Sequence, residues 1–339
     1  DAVVDDHREA LAALAHAEGG AVHGQADGFG EGAILVVAFE GWNDAGESAS
    51  AHSVRRRQEV HTMAPTRTAH AGLELPAIGF GTYQLNGDEG AEVIAAAIDT
   101  GYTLLDSAFN YENEGAVGAG IRRSGVDRDN LIVTSKLPGR HHAYDEALAT
   151  VAESVYRTGL DHLDLYLIHW PNPKVDRYVE AWTALIEAKR RGLVRAIGVC
   201  NFLPEHLERL ERETGVLPEV NQIELHPYFP QTEQVAFDRA HGIITEGWSP
   251  LGRGNDLLQH PVIERIAAAH ETDAGSVALA WAVQRGVVPL PKASSPARQV
   301  GNLAAAGLVL TADEQAEITA LGRPDGRIAA QDPAEYEEF

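Results

Sequence analysis

The chain has 339 residues, 44% of them apolar, with 27 lysines and arginines against 50 aspartates and glutamates, a formal net charge of −23. Such acidity argues against a nucleic-acid surface, which needs clustered cations, and no apolar run reaches the roughly 20 residues of a membrane helix. The one cysteine, Cys200, precludes an intramolecular disulfide, and the acidic N-terminus lacks the basic-then-apolar pattern of a secretory signal, so the cytoplasm is the expected compartment.

Residues 1–62 carry a helical pattern (DDHREALAALAHAEGG), a glycine-rich stretch, a strand-like ILVVAF and a polar segment ending in RRRQEVH. Three consecutive arginines in an acidic segment are too short for a nucleic-acid patch. From about residue 72 the rhythm changes. Short apolar runs alternate with amphipathic stretches: IGFGTY (78–83), a helix over 89–101, TLLDSAF (103–109), a helix over 114–125, LIVTSKL (131–137), a helix over 144–159, LDLYLIHW (163–170) and a helix over 178–192. VRAIGVCNF (194–202), VNQIELH (220–226), IITEGWSP (243–250) and GVVPLPK (286–292) continue the strands. Helices are expected over 204–215, 233–242, 261–270, 276–286, 295–307 and 311–322. Eight near-continuous apolar strands separated by helices predict a (β/α)₈ TIM barrel. An open doubly wound sheet fits less well, because no GxGxxG follows the first strand.

In such a barrel the chemistry sits at the C-terminal strand ends. The polar residues there are Asp106, with Tyr111 just beyond it, Lys136, His169, Cys200 and Asn201, Gln222, Trp248 and Ser249, and Lys292. Taken singly, each has an ordinary structural explanation; their joint occurrence at successive strand ends points to a site. Carbonyl reduction needs a hydride on one face and a proton at the oxygen. A free tyrosine, with a pKa of about 10, is a reluctant acid. A neighbouring ammonium such as Lys136 would favour the phenolate and lower that pKa. Asp106 would hold the lysine, and His169 would orient the carbonyl.

These segments resemble the aldo-keto reductases over about residues 66–333. LLDSAFNYENE, VTSKL and LYLIHWP match the family's aspartate–tyrosine, lysine and histidine segments. RAIGVCNF, VNQIELHPY, WSPLGRG and PLPKASSPARQVGN match its cofactor segments. LIHWP and WSPLGRG are most similar to the bacterial 2,5-diketo-D-gluconic acid reductases. The resemblance implies Tyr111 as general acid, Lys136 and Asp106 as its tuning pair, and His169 as the carbonyl-orienting residue. It implies Asn201 and Gln222 on the nicotinamide amide, with Cys200 beside them, and Trp248 stacked on the ring. Ser249, Leu251 and Gly252 would wrap the pyrophosphate. Lys292 and Arg298 would take the 2′-phosphate of NADPH, with Asn302 near the adenine. Tyr83, Trp170 and Pro138 would shape the substrate pocket, assisted by the loop RGNDLLQH and the tail DPAEYEEF. Keto-sugar acids and small dicarbonyls are the candidate substrates, and a monomer is the family's usual state. Cys200, Ala293 and Gly301 replace commoner residues and suggest weaker cofactor affinity. A catalytically silent NADPH sensor on the same barrel is the alternative, although no member of the tetrad is lost.

The adjacent His141 and His142 are read as an exposed loop rather than metal ligands, since no further ligand spacing accompanies them. Residues 34–51 resemble a fragment of the proteasome-assembly-chaperone-like family. Residues 1–62 are accordingly expected to be a fused remnant or a gene-boundary artefact. The sole methionine, Met63, would then mark the natural start of a reductase over 63–339.

Overall fold

A computed structural model describes residues 66–339. The helix and strand expected within residues 1–62, and the boundary proposed at Met63, lie outside the described residues.

The predicted alternation is the observed architecture. Eight parallel strands run in chain order: β3 (Phe80–Gly81), β4 (Leu104–Asp106), β5 (Ile132–Leu137), β6 (Leu163–Ile168), β7 (Val194–Cys200), β8 (Val220–Glu224), β9 (Ile244–Trp248) and β10 (Val288–Pro289). Each pairs with its sequence neighbour. The amides of Gly79 and Gly81 donate to the carbonyls of Pro289 and Pro291, both at 3.1 Å, and join the first strand region to the last. Prolines at those two positions cannot donate in return, so this seam is bonded from one side.

Before the barrel comes a hairpin that the alternation did not predict, β1 (Thr66–Thr68) against β2 (Glu74–Pro76). It inserts Leu75, fully buried, into the barrel interior among Leu104, Leu165, Leu167, Val220, Val288 and Leu290. The helices bury their apolar stripes against the outside of the sheet. Trp182, Tyr166, Ile94 and Val133 lie in the larger of these cores and Trp281, Ile263 and Leu225 in the second. Local chemistry sets the helix ends. The helix Gly87–Thr100 stops at Gly101, whose φ of 117° suits only a residue without a Cβ. Thr311 and Glu314 form a reciprocal capping box on the helix Ala312–Thr319.

Candidate active site

Twelve of the seventeen residues singled out from the sequence line one cavity of about 650 Å³ at the C-terminal strand ends. They are Tyr83, Asp106, Tyr111, His169, Trp170, Cys200, Asn201, Gln222, Trp248, Ser249, Leu251 and Lys292. Lys136 lies behind that wall, fully buried. Pro138 and Gly252 are buried beside it without lining it, and Arg298 and Asn302 lie on the helix Pro296–Ala304. Pro138 is therefore not the pocket wall it was expected to be. It precedes the short turn Gly139–His141, and its carbonyl accepts from the His141 amide.

The floor is an ionic network. Lys136 Nζ donates to both Asp106 oxygens, at 2.7 and 2.8 Å, and to the Ser107 carbonyl at 2.7 Å. All three of its protons are thereby engaged, so it acts on Tyr111 mainly through its charge, from 5.1 Å off the ring centroid. The Tyr111 ring meets those of His169 at 6.0 Å and Tyr83 at 5.0 Å, both edge-on. Burial raises the phenol's pKa and the Lys136 charge lowers it; burial wins, leaving it pushed up to about 12. Lys136 thus pulls in the expected direction without bringing the phenol to neutrality, and Tyr111 stays a protonated donor.

Gln222 spends both amide protons on carboxylates, Asp106 Oδ1 and Glu246 Oε2, each at 2.8 Å. Its Oε1 keeps its acceptor capacity. Asn201 Nδ2 donates to the His169 carbonyl at 3.1 Å, and its Oδ1 accepts from Trp248 Nε1 at 2.9 Å. That bond fixes the half-buried indole at the cavity edge. The backbone here is unusual. Gln84, Asn201, Ser249 and Arg253 all line the cavity with φ between 49° and 63°. Non-glycine residues rarely adopt that region, and they concentrate at functional sites when they do.

Three features escaped the sequence reading. Glu246, on β9, is buried inside the barrel with Oε1 unpartnered. Alternation marks its strand but not its contacts. Arg253 lies over the Tyr83 ring at 5.6 Å. Glu338, in the tail expected to contribute to specificity, reaches His169: its Oε1 is 2.7 Å from Nδ1, a close contact off the ring's N–H axis. The exposure expected for the paired histidines needs correction, though they do lie in a loop. His142 is 2% exposed with both ring nitrogens unpartnered, and burial pushes its pKa down to about 4. His141 Nδ1 lies 2.9 Å from Thr150 Oγ1. Hydrophobic periodicity cannot register a histidine turned inward from a loop.

The donor set suits a nicotinamide dinucleotide phosphate. Trp248 offers an aromatic face held by Asn201, and Gln222 Oε1 is a spare acceptor for an amide. Lys292 and Arg298 are exposed cations flanking the start of the helix Pro296–Ala304, whose Ser295 side chain makes no capping bond. Two cations and a free helix N-terminus fit a phosphate group.

The sequence profile of the Aldo/keto reductase family matches residues 77–323. The chain is 49% identical over 275 residues to 2,5-diketo-D-gluconic acid reductase B of a Corynebacterium species, covering 81% of this chain and 99% of that protein. It is 39% identical over 265 residues to glyoxal reductase of Bacillus subtilis, covering 78% of this chain and 95% of that protein. Among solved structures, a variant of Gox0644 in complex with NADPH superposes with a TM-score of 0.77 at 41% identity, over 81% of this chain and 99% of that one. An aldo-keto reductase of Bombyx mori in complex with NADP gives 0.74 at 31%, over 81% and 98%.

Proposed function

The chain belongs to the aldo/keto reductase family and is an NADPH-dependent oxidoreductase acting on carbonyl groups, and from that premise we propose which of its residues do the work. Tyr111 is the general acid. The observation that carries this role is its place: a phenol kept protonated by burial, between the Lys136–Asp106 pair below and His169 opposite, on a cavity wall. When bound, NADPH supplies the hydride. Tyr111 delivers the proton to the oxygen of the reduced carbonyl, and His169 hydrogen-bonds that oxygen and sets its approach.

Lys136 and Asp106 are positioning residues. The ammonium favours the phenolate that Tyr111 becomes on giving up its proton, and Asp106 anchors the ammonium. Asn201 and Gln222 hold the carboxamide of the nicotinamide, Trp248 supports its ring, and Cys200 lies beside them on the wall. Ser249, Leu251 and Gly252 follow the pyrophosphate, Lys292 and Arg298 take the 2′-phosphate, and Asn302 lies by the adenine. Tyr83 and Trp170 wall the substrate side, with Tyr336 packed on Trp170 at a ring separation of 4.5 Å.

The substrates are small carbonyl compounds. Small dicarbonyls are supported by the glyoxal reductase relative and keto-sugar acids by the diketogluconate reductase relative. We further propose a cytoplasmic monomer in which residues 63–339 form the reductase and residues 1–62 are an extension without a part in turnover. No helix among the described residues is long and apolar enough to cross a membrane. NADPH oxidation with a panel of aldehydes and dicarbonyls, against NADH and against Tyr111→Phe, tests the central claim. Turnover should fall by about 10²–10⁴-fold in the variant, the range of a lost general acid. Turnover in Tyr111→Phe equal to wild type overturns the assignment.

A further inference from the structure

Glu338 sits in a built site. Its backbone N–H donates to Asn172 Oδ1 at 3.0 Å, and its carbonyl accepts from Asn172 Nδ2 at 2.8 Å. Its Oε2 accepts from the Gly139 amide at 2.9 Å, and its Oε1 accepts from Asn110 Nδ2 at 2.9 Å and meets His169 Nδ1 at 2.7 Å. A Cβ on Gly139 would come within 2.4 Å of both Asn172 Nδ2 and the Glu338 carbonyl, so that position has room for glycine alone. The tail is thus clamped with one carboxylate on the cavity wall, 8% exposed.

The charge there is uncompensated by a lysine or arginine. Among the described residues the only basic side chain within 4 Å of the Glu338 carboxylate is His169. Arg140, next to Gly139 in the chain, is engaged with Asn110 Oδ1 at 2.6 Å. His142, also behind it, is neutral in the physiological range. Of the cavity's cations, Lys292 belongs to the group assigned above to the dinucleotide phosphates, and Arg253 lies over the Tyr83 ring at 5.6 Å and makes no ion pair with Glu338 among the described residues. Burial opposes ionisation of Glu338, but the adjacent His169, the Gly139 N–H and the Asn110 amide outweigh it and hold the carboxyl below its usual range.

If Tyr111 and His169 receive the carbonyl oxygen, the substituents on the carbonyl carbon face the wall of Tyr83, Asn110, Trp170, Tyr336 and Glu338. We infer that Glu338 is a specificity-determining residue that rejects substrates presenting a carboxylate directly beside the reactive carbonyl, so that the enzyme takes neutral carbonyls, or keto acids at a ketone remote from the carboxylate, in preference to reduction at the 2-keto position. Two like charges brought together in a site with little water repel strongly, whereas neutral oxygen substituents meet the Asn110 amide and the aromatic wall without that penalty. This inference rests on the active-site assignment above, because Tyr111 and His169 fix which wall the substituents meet.

The test compares pyruvate with methyl pyruvate, which share the ketone and differ by one charge. Wild type should favour the ester. In Glu338→Gln, the ratio of kcat/KM for pyruvate over methyl pyruvate should rise by at least about tenfold, whatever happens to the ester alone. Glu338→Asp keeps the charge and should keep the wild-type ratio. A ratio unchanged in folded Glu338→Gln overturns the inference while leaving the reductase assignment standing. Equal loss on both substrates in that variant also overturns it, since Glu338 would then serve only to orient His169. No turnover of methyl pyruvate or any other neutral carbonyl by wild type overturns the active-site assignment and this inference with it.

Discussion

Asp106 and Glu246 bring two buried carboxylates to one donor, the Gln222 amide, with a single ammonium, Lys136, to balance them. Only three charges are present, so electroneutrality is met when Glu246 holds a proton. Burial first, and the Asp106 charge next, push its pKa up to about 8. Unfolded, the same group titrates near its ordinary value of 4.5. Between those two values the native state binds a proton that the unfolded chain has lost, so stability falls as pH rises through the window and levels off above it. The slope from one such proton is roughly 1.4 kcal/mol per pH unit. Glu246→Gln should flatten the decline between pH 5 and 8, as measured by urea unfolding across that range. An identical slope in the variant would place the proton elsewhere.

Asp238 should behave in the same sense. It is fully buried, and desolvation raises its pKa to about 7 against bonds from Gln234, Thr245 and Asn221 that lower it. Asp238→Asn should remove a second share of the decline, from about pH 4 to pH 7, and add to Glu246→Gln. The two act through different neighbours, so urea midpoints for the single and double variants should sum.

Breaking the Lys136–Asp106 pair should be costly in structure as well as in rate. Lys136→Met leaves Asp106 buried with one donor, Gln222, while Asp106→Asn leaves an ammonium without its counter-charge. Removal of one partner of a buried pair typically destabilises by about 3–5 kcal/mol. Denaturation midpoints should therefore drop sharply in each single variant. The double variant Lys136→Met with Asp106→Asn should recover part of the stability and none of the turnover, because Tyr111 still lacks the positive charge that stabilises its phenolate. Recovery of turnover in the double variant would remove Lys136 from the mechanism.

The helix Glu114–Ser124 offers a paired test of packing. A Cβ on Gly118 would fall 1.8 Å from the Thr158 carbonyl, whereas one on Gly115 would find its nearest neighbour, the Arg157 carbonyl, at 3.6 Å. Gly118→Ala must push two helices apart and should destabilise by about 1–3 kcal/mol. Gly115→Ala fits and should stabilise by up to about 1 kcal/mol through helix propensity. Thermal melts of the two variants moving in opposite directions would confirm how closely that helix sits against the Thr158 turn.

What was legible in the sequence followed the range of the interactions. Strands such as LIVTSKL and LDLYLIHW announce themselves because both faces are covered, and the residues at their ends fall at the barrel mouth by topology alone. Tyr111, Lys136 and His169 were therefore within reach. The hairpin Thr66–Pro76 was not, since three-residue strands carry too little alternation to separate them from loop. Nor was the Glu338–His169 contact, which joins the tail to the end of β6. Periodicity reports which face of an element is covered; it carries no information about which distant side chain does the covering. Glu246 shows the same limit from inside a strand: the run IITEGWSP contains the carboxylate but does not say that it meets Gln222.

Cofactor choice supplies a further prediction. Lys292 and Arg298 are exposed, and neither forms an ion pair within 4 Å among the described residues. Cations left free on an acidic protein suit a ligand that brings its own phosphate. Lys292→Ala and Arg298→Ala should each raise the KM for NADPH by roughly tenfold or more, the worth of one charge-assisted contact, and change that for NADH little, since NADH lacks the 2′-phosphate. The kcat for NADPH should hold, because the 2′-phosphate takes no part in the hydride or proton transfer. Added salt should weaken NADPH binding to wild type more than to the double variant, by screening the same two charges. Steady-state kinetics with both cofactors at two ionic strengths separates the cases. An equal rise in KM for NADPH and NADH would mean that the two cations serve the fold of this corner and not the recognition of the phosphate.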